Sequence, residues 1–264
     1  MKLYKIYIVS VLSILTVSCT KVVDLKLGND TGKLVIEGNL TDVNGPQYIK
    51  ISRNVPFTNT NTYPAVTGAS VSVVDDAGHT YPYNEGPSGT YTSSSMNGVA
   101  GSTYTMAAII NGQKYTASST MPALVSLDSI TAKNKPVNNS NHEKEITVHY
   151  QDPGGVVNQY RFVMYVNSVE VTSVFAFNDE FTDGRYIHTL LDQDAIKIYS
   201  GDTVTVEMQC IDKLVYTYWS TLMQQGSNGP SGSVAPSNPP TNISPATLGY
   251  LSAHTSQVKT IIVR

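Results

Sequence analysis

Ser18 and Cys19 close an apolar run, Ile6 to Val17, that is interrupted only by Ser10, Ser13 and Thr16 and preceded by Lys2 and Lys5. This arrangement points to one piece of covalent chemistry. A small residue directly before a thiol, at the end of such a run, is the processing signal of an exported lipoprotein. The sulfur is alkylated by a diacylglycerol and the peptide ahead of it is cut. The run is about twelve residues long, the length of a signal-peptide core, whereas a membrane-spanning helix needs roughly 20. Residues 1–18 therefore read as a signal peptide, Cys19 as the lipidation site, 19–32 as a lipidated tether, and the lipid bilayer as a partner. Each buried acyl methylene contributes about 0.8 kcal/mol, so several chains anchor almost permanently. The rival reading is an ordinary secretory signal in which Cys19 is incidental. Asp24 is the only acid close behind Cys19, so these residues do not select a membrane face.

Lipidation of Cys19 would leave Cys210 without a disulfide partner. Cys210 sits in the strand-like run Val204 to Ile211 and reads as a small buried hydrophobe. Hydrolase patterns are missing: there is no Gly-x-Ser-x-Gly and no His-Glu-x-x-His. His79, His142, His149, His188 and His254 are scattered, none at ligand spacing from another, which argues against zinc. Asp179, Glu180 and Asp183 could supply oxygens to calcium; the plainer reading is a solvated Asp-Gly turn, so no metal or other cofactor is expected. Tyr216, Tyr218 and Trp219 could form a stacking platform for a sugar or peptide, although an aromatic stripe at helical spacing is more often core. Tyr216 lies off that stripe.

The elements that would position these groups are mostly strands. Charged residues make up 14% of the chain, against about a quarter in ordinary domains. Ser, Thr, Asn and Gly supply the polar surface, and 17 Tyr stand against one Trp and five Phe. With a net charge of −3 and no basic run, nucleic-acid binding is excluded as a leading function. Short alternating segments at 33–41, 47–52, 69–74, 79–83 and 89–93, then 102–110 and 113–119 around Asn111-Gly112, predict an immunoglobulin-like β-sandwich over 33–122. A second β-rich domain with one or two short helices is expected over 123–264, with strands near 124–133, 144–150, 159–166, 170–177, 185–191 and 203–211. Asp192 to Tyr199 suggests a helical turn or two, and Leu214 to Gln225 a helix whose Leu214, Val215, Tyr218, Trp219 and Leu222 form one apolar stripe. Residues 226–247 are a Pro/Gly/Ser/Asn-rich loop, and two closing strands follow at 249–254 and 259–263. A long loop in a compact domain is usually functional or disordered. Tyr216, Asn238, Pro239, Pro240, Asn242 and Tyr250 are the candidate partner or ligand surface, with a structural cover over a sheet edge as the alternative.

Several motifs stand out beside the Cys19 start. They include Leu34-Val35-Ile36-Glu37-Gly38, Thr120-Met121-Pro122, Asp179-Glu180-Phe181-Thr182-Asp183-Gly184 and Tyr216-Thr217-Tyr218-Trp219-Ser220-Thr221-Leu222, and above all Asn238-Pro239-Pro240-Thr241-Asn242-Ile243 leading to Leu248-Gly249-Tyr250. Together they resemble, over nearly the whole chain, a family of Bacteroidota lipoproteins classed as a domain of unknown function. Members usually carry Gly just before the Leu-Gly pair, where Pro245-Ala246-Thr247 stands here. Members often lie beside outer-membrane TonB-dependent transporters, so the resemblance implies an outer-membrane location and an accessory role in uptake, but no mechanism. Asp128-Ser129-Ile130 and Asp202-Thr203-Val204 are similar to the O-glycosylation acceptor tripeptide of that phylum, which implies Ser129 and Thr203 as modification sites.

The expectation is thus a cell-envelope binding or accessory lipoprotein that is not an enzyme, with a TonB-dependent transporter as a partner and a small-molecule or glycan ligand of unknown identity. Anchoring through Cys19 would place the second domain outermost and make it the expected seat of binding. The alternatives are a structural or assembly lipoprotein without ligand and, more remotely, a hydrolase with a nonsequential site.

Overall fold

Alternation of apolar and polar residues sets the first unit. The computed structural model describes residues 31–56, 62–136, 142–225 and 237–264. The strand β1 (Leu34–Thr41) buries Leu34, Ile36 and Leu40 and turns Val35, Glu37 and Asn39 to the other face. β2 (Tyr48–Arg53), β3 (Ser70–Asp75), β4 (Thr80–Glu85), β5 (Thr90–Ser93), β6 (Thr103–Ile110) and β7 (Gln113–Thr120) follow, close to the expected segments. Asn111 and Gly112 turn the β6–β7 hairpin with positive φ at both positions, as a tight two-residue connection demands. Ile36, Ile49, Ile51, Val73, Tyr91 and Met106 fill the first core.

The second unit is a sandwich of two sheets over its own core. β8 (Leu127–Asn134), β9 (Lys144–Gln151) and β13 (Tyr186–Leu191) form a three-stranded sheet in the order β13-β9-β8. It packs on β10 (Gln159–Val166) and β14 (Thr203–Cys210), with the short strands β11 (Val169–Glu170) and β12 (Phe175–Asn178) paired to β10. Ile146, Val148 and Tyr150 from one sheet meet Phe162, Met164, Val206 and Met208 from the other. The helix α1 (Lys213–Gln225) begins at Asp212, whose carboxylate accepts the backbone N–H groups of Leu214 and Val215, both at 2.9 Å.

One strand joins the two units. β16 (Leu248–Ile262) runs parallel to β1 from Leu248 to His254 and antiparallel to β14 from Thr255 to Ile262. Its Leu251 and Ala253 enter the first core, while Ile261 packs on the second. Gly249 is required for this crossing: its φ is +98°, and a Cβ there would lie 1.9 Å from the Ile36 carbonyl oxygen. The first core is completed by β15 (Ile243–Ser244), which pairs with β7. The chain is therefore mainly β, an immunoglobulin-like sandwich followed by a second β-rich unit with one helix, and residues 243–253 return to the first core.

Four expectations are corrected here. The closing strands at 249–254 and 259–263 are one strand. The polar stretch between them reads as a break, but Thr255 is buried opposite Cys210 and Gln257 Oε1 accepts the Leu127 N–H at 2.8 Å. The 170–177 segment splits into β11 and β12. Asp192 to Tyr199 forms no helix; the Gln193 carboxamide clasps both the N–H and the carbonyl of Ile196, at 2.8 and 2.6 Å, and turns the chain. Leu214 is exposed rather than part of the helix stripe, while Val215 is buried. Among the described residues no helix is long and apolar enough to cross a membrane.

Candidate functional site

The Pro-rich segment before β16 has two halves with different work. Its inward half closes the first sandwich. The Asn242 carboxamide copies a strand neighbour, accepting the Leu251 N–H at 2.9 Å and donating to the Leu251 carbonyl at 2.7 Å. Thr241 Oγ1 donates to the Gly249 carbonyl at 2.8 Å, and Ile243 is buried in the first core. Ser119 Oγ, which accepts the Ala253 N–H and hydrogen-bonds the Asp212 carboxylate, ties β7, β16 and the start of α1 together. The outward half cannot join a ladder, because Pro239 and Pro240 lack an N–H and hold φ near −65°. Asn238 and Pro240 are exposed and Pro239 is half-buried. The part of the loop at 226–236 lies outside the described residues. Its flanks, Gln225 and Ser237, are hydrogen-bonded to each other at 2.8 and 3.3 Å.

This outward half forms one wall of an open groove of about 780 Å³. Asn238, Pro239, Pro240, Pro245 and Ala246 line it together with Lys33, Arg53, Gln113 and Tyr115. The Arg53 guanidinium donates to the Gly32 carbonyl at 2.7 Å. Proline rings and a tyrosine supply apolar faces, the amides supply hydrogen-bonding groups, and Lys33 and Arg53 add positive charge. The lining has no His, Cys, Asp or Glu, so those side chains supply no nucleophile or general base there.

Tyr216 and Tyr250 belong to another environment. Tyr250 is 5% exposed, with its ring 4.8 Å from Tyr218 and 5.2 Å from Trp219. Tyr216 is half-buried and packs on the same cluster. The Arg161 guanidinium stacks 3.7 Å from the Trp219 ring centroid and donates to Gln209 Oε1 at 2.9 Å. Burial pushes the Tyr218 and Tyr250 phenols up. These aromatics seat α1 on the sheet, which is the core reading of the stripe.

The acidic turn assembles differently from its sequence order. Asp179 and Asp183 converge with Asp152, not Glu180, and their oxygens lie within 4.8 Å of one another. Each already accepts a backbone N–H: Gly184 to Asp152 at 3.1 Å, Asn158 to Asp179 at 2.7 Å and Gly155 to Asp183 at 2.8 Å. Tyr160 also donates to Asp152. The three carboxylates thus clasp two turns, and Asp152, hidden in the Asp152-Pro153-Gly154-Gly155 turn, is the member that local sequence does not reveal.

The remaining candidates separate. Ser129 and Thr203 are both exposed; the Asp202 carboxylate beside Thr203 is held by Asn167 and the Tyr199 N–H, which lower its pKa. Cys210 is buried, its Sγ accepts the Val125 N–H at 3.4 Å, and burial raises its pKa. Cys19 lies outside the described residues. One pairing was missed at the sequence level: His149 and His188, 39 residues apart, face each other across β9 and β13. Only the register of two distant strands would have revealed it.

Fold and surface together define a class, a mainly β protein of two sandwiches in which the segment before β16 lines an open groove on the first. The chain belongs to the family described as Domain of unknown function (DUF4249), which matches residues 20–260. No curated protein matches it. Among solved structures it is similar to the two fibronectin type-III domain segment of chicken tenascin, with 13% identity over 68% of this chain and 90% of that one and a TM-score of 0.21. It is also similar to the Yersinia pseudotuberculosis adhesin InvE, with 16% identity over 68% of this chain and 57% of that one and a TM-score of 0.22.

Proposed function

We propose that this protein is a Bacteroidota cell-envelope lipoprotein, acylated at Cys19, that serves as a binding or accessory component of an outer-membrane uptake system. The groove walled by Asn238, Pro239 and Pro240 is the observation that carries this reading. Two adjacent prolines hold an extended, low-entropy surface beside Tyr115, and such a surface suits a chain-like partner. The family match begins at Thr20, the residue after Cys19, which supports a mature chain starting at the acylated thiol. The bound partner is a TonB-dependent transporter or its cargo. Seating the groove on the first sandwich moves the binding role away from the outer unit, where the anchor argument alone puts it.

The structural-lipoprotein reading draws on one observation, the sheet-closing hydrogen bonds of Asn242. The two readings separate by substitution. Asn242→Ala removes bonds that hold β15 and is expected to destabilise the fold by about 2 kcal/mol. Pro239→Ala/Pro240→Ala leaves the core intact, so its unfolding free energy should stay within about 0.5 kcal/mol of wild type. In a crosslinking pull-down from native membranes, the wild-type chain should capture a transporter and the double-proline variant should capture it at least about tenfold less well, a loss of about 1.4 kcal/mol. Undiminished capture by that variant, or no transporter in the wild-type sample, sinks the proposal and leaves the structural role.

A further inference from the structure

The outer face of the three-stranded sheet carries a pair of imidazoles. His149 on β9 and His188 on β13 are directly opposed residues of an antiparallel pair, the position where side chains stand closest across a sheet. Their Nδ1 atoms are 2.6 Å apart and their rings meet edge to face at 4.9 Å. The two nitrogens therefore share one hydrogen bond across the gap that an ion would enter. The remaining nitrogen of His149, Nε2, lies 2.7 Å from Thr131 Oγ1 on β8. With its proton on Nε2 and directed to that hydroxyl, His149 keeps a bare Nδ1 lone pair. Fixing of the far nitrogen by an oxygen is how metal-binding histidines are oriented.

We propose that Nδ1 of His149 and Nδ1 of His188 form a site for a divalent transition-metal ion such as Zn²⁺, with water in the outward positions. The chemistry of the donors selects this class: imidazole suits zinc, nickel and copper, while calcium and magnesium require oxygens. The three acids that the fold brings together among the described residues, Asp152, Asp179 and Asp183, each already hold a backbone N–H. Two Zn–N bonds of about 2.0–2.1 Å at a tetrahedral angle set the nitrogens roughly 3.3 Å apart, so the rings need to separate by about 0.7 Å. His188 is exposed and has the room. Transfer of its Nδ1 proton to Nε2 through water frees the Nδ1 lone pair for the ion. Burial, His188 and Lys133 all lower the His149 pKa. Around the pair stand Tyr186, 5.1 Å from the His188 ring, and Asp128, which interacts with Tyr186.

The test is calorimetric titration of the full chain with Zn²⁺ after chelator treatment, joined to ¹⁵N NMR of the histidine rings. One ion per chain should bind, and the Nδ1 resonances of His149 and His188 should move together. His188→Ala should weaken binding at least tenfold without shifting the unfolding midpoint in chelator, since its side chain is exposed. Thr131→Val, which only positions His149, should weaken binding about tenfold. His79→Ala, at an exposed His paired with Asp75, should change nothing. Absence of binding, or unchanged affinity in His188→Ala, overturns the site. These outcomes are independent of the groove and its partner.

Discussion

His254 illustrates what a single buried side chain does to the whole fold. It is 1% exposed on β16, with Nδ1 2.9 Å from Ser252 Oγ. Burial lowers its pKa to about 4, against an upward pull from Glu207 and a further downward push from Arg161. In the unfolded chain a histidine titrates near 6.5. Between these values the unfolded chain binds a proton that the folded chain refuses, so stability rises with pH across that window. Above pH 6.5 both states are neutral and the contribution is complete; as pH falls toward 4 it is lost, by an amount on the order of 3 kcal/mol. Asp194 and Asp202, whose pKa values are lowered, act in the same direction but in more acidic solution, below the ordinary carboxylate value. Urea unfolding at pH 7.5 and 4.5 should therefore show a large drop in wild type and a much smaller one in His254→Gln. Equal drops in both would assign the acid sensitivity to other groups.

At the scale of elements, β16 makes the two sandwiches a single folding unit. Leu251 is fully buried in the first core, while its neighbour Tyr250 packs against Trp219 on α1. Leu251→Ala should cost about 3 kcal/mol. Trp219 fluorescence and far-UV circular dichroism should then report one shared transition at lower urea. Two separated transitions would mean that the units unfold independently despite the common strand. The local elements were legible in the sequence because strand alternation and the Asn111-Gly112 turn are local properties. β16 was not, because Thr255, Ser256 and Gln257 are polar by composition and become strand only through Cys210, Gln209 and Met208 opposite them. The candidate surface divided for the same reason. Pro239 and Pro240 declare an extended segment outside the ladder by their chemistry alone, whereas Asn242 shows its closing role only once Leu251 is beside it. His149 and His188 had no local pattern to announce them.

For the whole molecule, the anchor and the groove constrain one another. Cys19 and Lys33 are 14 residues apart, and an extended chain covers at most about 3.6 Å per residue, so the reach is about 50 Å at most. Lys33 lines the groove. An acylated Cys19 would therefore hold the groove within that distance of the bilayer surface, close enough to meet the membrane-exposed parts of a transporter. A chain released from its lipid would lose this local concentration, which tethering raises into the millimolar range. Cys19→Ala is expected to abolish labelling by an alkyne analogue of palmitate and to shift the protein from the membrane to the soluble fraction. Transporter capture should fall while the unfolding midpoint of the two sandwiches stays unchanged, because no residue of either core is touched. A wild-type chain that takes no label, or a Cys19→Ala chain that stays membrane-bound, would remove the anchor and with it the geometric reason for seating the partner on the first sandwich.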